Sequence, residues 1–342
     1  MIAMGHLLSL YDEQALNHQK KLQSDHAWDL ETSIDWTHPI DISKPLVALD
    51  ENALFFPGIS EEQRVVVSQA MGLVIVVCIC EMEDCLLRFK KECWGDIYEK
   101  YPVSPEFIEL GELFFEEESK HTTAFHRYLS KFSKALNVDL VTLREILPTI
   151  QGTKTEYILK RNIHRGGQSF WWVVATVEQE FLHLYKCLHP FQNNLEPLYF
   201  ELHKKHFEEE ARHSSFPYLM LELLRSRSDF RFLPIKKWIQ NKADGMFAQL
   251  LTSAWAISSL RRMKQLKHLR QVHPFFSILY GVYPHLEKQP VSRTLWRIFT
   301  SVPYVSSLIN PFNHGKVINY AKGRGAFFAP FPQPAPETLV DY

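Results

Sequence analysis

Residues 206–213 read His-Phe-Glu-Glu-Glu-Ala-Arg-His. On a helix, at about 100° per residue, His206, Glu210 and His213 project from one face within an arc of about 60°. Earlier in the chain, residues 114–121 read FFEEESKH. There Glu118 and His121, three apart, share a face and form a second half-site, with Phe114, Phe115 and Phe125 as apolar surroundings. Each of these stretches is preceded by an apolar run broken by acids. Glu81-Met82-Glu83 interrupts the first, and Glu178-Gln179-Glu180 follows WWVVATV in the second. A carboxylate beside so much apolar surface is costly to bury unless a cation compensates it. The chain therefore reads as a pseudo-repeat: an apolar helix with Glu-x-Glu, then a helix with Glu-x-x-His.

Residues two apart on a helix project about 200° apart, so one acid of each Glu-x-Glu faces inward. In the first run Glu83, followed by Leu86 and Leu87, is the better candidate than Glu81, which meets Asp84 and Cys85. In the second, the pseudo-repeat matches Glu180 to Glu83, yet Phe181, Leu182 and Tyr185 lie on the face of Glu178. Both acids stay candidates, with Glu180 preferred.

Local signals place these runs on four long helices. Ser60 and Gln63 form a capping box that opens the first, which extends to about Lys91. Ser104-Pro105-Glu106 supplies an N-cap, a first-turn proline and a first-turn acid for the second, which reaches about Leu136. The third runs from about Gln168 to His189, before Pro190. The fourth starts near Leu195 and extends towards Arg225, with a kink expected at Pro217. Between the second and third helices, Asn137 to Gly167 forms a connection with one short helical stretch near Leu143–Leu147. No alternating strand pattern appears. The fold class is all-α, with residues 1–57 an irregular lead-in that wraps a later core and 58–230 a four-helix bundle. Residues 231–342 form a C-terminal helical extension packed on it, with helices at 234–247, 250–269, 274–283 and 293–299.

A Glu-x-x-His on each of two helices plus one Glu from each of two others is the ligand set of dinuclear iron and manganese carboxylate bundles. The ordering here, with an extra histidine one turn before the second Glu-x-x-His, resembles the ferritin-like di-iron oxygenases of the p-aminobenzoate N-oxygenase family. The resemblance covers roughly residues 60–223. It implies metal ligands at Glu83, Glu118, His121, Glu180 or Glu178, His206, Glu210 and His213. It also implies two iron ions, with manganese the alternative, and partners consisting of O2, a small-molecule substrate such as an aryl amine and a separate electron donor. The competing expectations are a C-hydroxylase or desaturase of an acyl substrate and a metal-storage or peroxide-scavenging bundle. The long aromatic region after Pro234 argues against storage. Glu116, Glu117, Glu208 and Glu209 are expected to be solvated, with Arg212 paired to one of them.

The composition frames these readings. Of 342 residues, 46% are apolar and 23% charged, which is the make-up of a globular chain with ample core material. Lys+Arg 38 against Asp+Glu 39 leaves a formal charge of -1, so the basic footprint that nucleic acid requires is missing. There is no GxGxxG, GxxxxGK[ST], GxSxG or HExxH. Five cysteines, three of them at 78, 80 and 85 beside an apolar run, read as core thiols and not as a disulfide framework. The opening MIAMGHLLSLYDEQ lacks a basic n-region, and the apolar run Val65–Cys80 is broken by Ser68 and Gln69. The chain is therefore expected to be cytoplasmic, without a membrane span and compatible with a homodimer.

Overall fold

The computed structural model describes residues 13–49, 60–101, 103–165, 167–213, 215–227 and 262–282. Every regular element among them is helical. Helix α1 spans Glu13–His26, α2 Glu61–Arg88, α3 Pro105–Ala135, α4 Lys154–His164, α5 Gln168–Leu188, α6 Pro197–His213, α7 Phe216–Arg227 and α8 Pro274–Val282. The long helices start where their caps dictate. Ser60 accepts from the Gln63 amide while the Gln63 side chain accepts from the Ser60 amide, which opens α2. Ser104 accepts from the Phe107 amide, with Pro105 at the first helical position, which opens α3. Helix α3 ends as Asn137 turns to φ 55 and the Val138 amide reaches back to the Ser133 carbonyl. Gly167, at φ 73, supplies the left-handed entry to α5.

Helix α3 packs against α2 and α6, α6 packs against α5, and α8 lies on α2. Their apolar faces form two core clusters. One is built around Val76, Phe125, Phe132 and Leu202, the other around Trp94, Phe107, Phe114, Trp171 and Phe216. The second contains a close approach that only glycine permits: a Cβ on Gly111 would sit 2.3 Å from the Trp94 ring. After α2 a π-helical turn, Lys91–Gly95, presents the Cys93 carbonyl to the Trp171 indole N–H at 3.1 Å.

Several expectations change. The lead-in is not wholly irregular: α1 occupies Glu13–His26 and packs on α3 and α6. The segment after it does wrap the core. Ser68 accepts from the Leu46 and Val47 amides and donates to the Val47 carbonyl, and Gln69 donates to the Ile42 and Lys44 carbonyls. The two polar residues in the apolar run are thus sockets for this segment, and α2 continues through them. By length and composition α2 could cross a membrane, but 83% of its most apolar window is buried inside the protein. The connection before α5 holds α4 as well as a short helix, Leu140–Arg144. The expected fourth helix is two: α6 ends at His213 and α7 begins at Phe216, with Pro217 in its first turn, where no amide donor is needed. The sequence-expected helices at 234–247 and 293–299 lie outside the described residues. Of the one at 250–269, the described part is a 3-10 turn at Arg262–Gln265 followed by a short helix at Leu266–Leu269.

Candidate metal centre

The pairing of α2 with α3, and of α3 with α6 and α6 with α5, turns the acids of the pseudo-repeat towards one another. Glu83, His121, His206 and Glu210 each place one ligand-type atom within 4.8 Å of those of the others, and Glu118, Glu178 and Glu210 do the same. Glu210 belongs to both groups. All six residues are at most 2% exposed.

The first group is tight. The His206 Nε2 lies 2.7 Å from Glu210 Oε1 and 3.1 Å from Glu83 Oε1. The His121 Nδ1 lies 3.5 Å from Glu210 Oε1 and 3.9 Å from Glu83 Oε1. Thr122 donates to the other Glu83 oxygen at 3.2 Å. Aromatic rings hold the imidazoles: Phe125 and His121 each stand edge-on to His206, and Phe181 tilts against it.

Burial, and after it the charges of Glu118 and Glu178, push the Glu83 carboxyl well above the usual range. Glu118 is raised in the same way by burial and then by Glu178, and Glu178 by burial and then by Glu210. Burial also raises Glu210, against a hydrogen bond from Glu178 that lowers it. Four carboxyls in one desolvated space repel one another when ionised, and a divalent cation among them would remove that cost. Carboxylate oxygens with two imidazole nitrogens are donors suited to divalent metal ions. The residues present therefore fit bound metal, with Glu210 common to the two groups that could hold it.

The structure redistributes the sequence-expected residues. Glu118 and His121 do not serve one half-site: His121 joins Glu83 and His206, while Glu118 joins Glu178. Of the two candidate acids of α5, Glu178 meets the cluster, while the side chain of the preferred Glu180 lies outside the described residues. Glu178 lies on the helix face that also carries Phe181, Leu182 and Tyr185. The side chain of His213 also lies outside the described residues. Glu81 turns away and accepts from the Ile150 amide at 2.6 Å, tying α2 to the loop before α4. His203, one turn before His206, is buried between Tyr199 and Phe125, and burial lowers its pKa to about 3.

Two acids expected to be solvated are buried. Glu117 is pushed up to about 8, chiefly by burial and then by the charge of Glu209. Glu209 accepts from His121 Nε2 at 2.7 Å and from the Trp28 amide at 3.2 Å, and it also pairs with Lys120. Burial raises its carboxyl, but the hydrogen bond from His121 and the charge and hydrogen bond of Lys120 outweigh this and hold it below the ordinary value. Arg212 does pair with it, at 3.7 Å. No local signal marked Glu209, because the groups that bury it come from the N-terminal segment and α3.

The chain matches no known family model, no characterised protein and no solved structure.

Proposed function

We propose that the chain is a ferritin-like di-iron oxygenase, using O2 and a separate electron donor on a small organic substrate, with an aryl amine as the first class to try. The observation that carries this reading is the pair of buried ligand groups joined through Glu210. Two iron ions, when bound, would supply the electrons that activate O2 and the oxidising power delivered to the substrate. The chain's own residues prepare that chemistry. Glu83, His121 and His206 would hold one ion and Glu118 and Glu178 the other, with Glu210 spanning both. Phe125 stands edge-on to His206 and Phe181 tilts against it, and Phe114 and Phe115 precede Glu118 by one turn, which surrounds the ligand atoms with apolar rings. Thr122 donates to Glu83 and holds that carboxylate with one oxygen turned towards the histidines. Manganese would occupy the same donor set.

The deciding experiment is metal content per chain after expression in iron-rich medium, with the visible spectrum of the oxidised protein and O2 uptake with a reductant and a panel of aryl amines. Two iron ions per chain and amine-dependent O2 uptake are expected. A protein purified without chelators that carries no transition metal would end the reading. Iron accumulating far beyond two per chain would favour storage instead.

A further inference from the structure

We propose that Glu209 is a positioning residue that fixes the ring of His121 with Nδ1 turned to the cluster, and that the strap His26–Trp28 holds Glu209 in place, so the N-terminal segment completes the site. The inference rests on the reading of His121 as a metal ligand.

A neutral imidazole has one N–H, and the nitrogen that carries it is set by the partner of the other. His121 Nε2 is 2.7 Å from Glu209, an acceptor that is fully buried and also takes donors from Trp28 and Lys120. With the proton on Nε2, Nδ1 is left as an acceptor, 3.5 Å from Glu210 Oε1 and 3.9 Å from Glu83 Oε1. An acceptor nitrogen grouped with two carboxyl oxygens is a donor set that a cation would fill. Histidines that bind metals commonly donate their second N–H to a carboxylate in this way, and loss of that partner weakens metal binding by about 10–100-fold.

The strap is anchored on both sides of Glu209. Arg212 donates to the His26 carbonyl at 2.8 Å, and Lys120 donates to the Trp28 carbonyl at 2.9 Å. The Lys120 ammonium also lies 4.6 Å over the Trp28 ring. That indole is stacked on His121, with centroids 6.2 Å apart and planes 13° apart, while the His206 ring stands edge-on at 4.6 Å. Rotation of His121 is therefore opposed by Glu209 at one nitrogen, by Trp28 on its face and by His206 beside it. These contacts join residues far apart in sequence, and they converge on one imidazole.

The test uses the full chain and Co2+ as the probe. Its affinity is measured by chelator competition, alongside 15N NMR of the His121 ring in metal-free protein, assigned with His121→Gln. Wild type should show the Nε2–H tautomer and bind two Co2+. Glu209→Ala should mix the tautomers and weaken one Co2+ by about 10–100-fold while sparing the other. Glu209→Gln, whose amide oxygen still accepts, should restore most of that affinity. Lys120→Met, which loosens the strap, should weaken the same ion by a smaller factor. If Glu209→Ala only lowers the melting temperature, with wild-type Co2+ affinity and an unchanged tautomer, the proposal is overturned. If that variant does not fold, wild-type affinity in Lys120→Met overturns the part assigned to the strap, and a Glu209→Gln protein with an unaltered tautomer but unrestored affinity overturns the part assigned to Glu209. A wild-type protein that binds no Co2+ refutes the metal-centre reading, and the tautomer in Glu209→Ala or Glu209→Gln then decides the positioning role alone.

Discussion

At the scale of single residues, the burial of four carboxyls with two imidazoles makes opposite demands on the metal-free and metal-loaded protein. Removing one acid relieves repulsion when no cation is present and removes a ligand when one is. Glu178→Gln should therefore lower bound metal below two per chain while raising the melting temperature of the metal-free protein. Glu180→Gln, two positions on and about 200° around the helix, should do neither. Metal analysis and calorimetry on the two variants check this, and equal metal loss from both would mean that the register of α5 is misread. Glu83, Glu118, His121, His206 and Glu210 were legible in the sequence because each is a polar residue set at helical spacing against apolar neighbours. Glu117 and Glu209 were not, since a run such as FEEEARH looks solvated until a distant segment covers it. Trp28 and Lys120 do so here, and no periodicity in α6 encodes them.

At the scale of elements, the two longest helices were legible from their caps, because a capping box or an N-cap before proline is a local device whose residues lie within one turn. Ser60→Ala should cost about 1 kcal/mol, seen as a lower melting temperature with metal content unchanged. What was not legible depends on tertiary contacts. Helix α1 has a weakly patterned sequence and is held by its packing on α3 and α6, and the described turn between α6 and α7 is at Ser215, before the proline that was expected to cause a kink. Close packing gives a sharper test at Gly111. Alanine is intrinsically better in a helix by about 1 kcal/mol, yet its Cβ would meet the fully buried Trp94 ring at 2.3 Å. Gly111→Ala should therefore destabilise the protein by about 1–3 kcal/mol. A melting temperature equal to or above wild type would show that the Trp94 layer can yield.

At the scale of the whole molecule, the cluster ties global stability to pH and to metal in a direction opposite to that of the surface acids Asp29, Asp35 and Asp41. Asp29, Asp35 and Asp41 are held below their ordinary values by turn hydrogen bonds, so the stability they contribute is present above about pH 4 and lost only on further acidification. The buried carboxyls behave the other way. Glu83, Glu118, Glu178 and Glu210 are raised well above 4.5, and Glu117 is raised to about 8. A group raised on folding favours the folded state most below its unfolded value, and that contribution is lost as pH climbs through the folded value. Each such group costs up to about 1.4 kcal/mol per pH unit in between. The metal-free protein should consequently lose stability from about pH 4.5 to 8. Bound metal holds its ligand carboxylates ionised at every pH in that window, so the loaded protein should show a flatter or rising profile and a higher melting temperature at pH 7. Glu117 lies outside both ligand groups, and Glu117→Gln should flatten the metal-free slope while leaving two metals per chain. Melting temperatures at pH 5, 6, 7 and 8, with and without metal, provide the measurement. A metal-free protein that grows more stable from pH 5 to 8 would mean that the buried carboxyls are compensated by groups other than a metal.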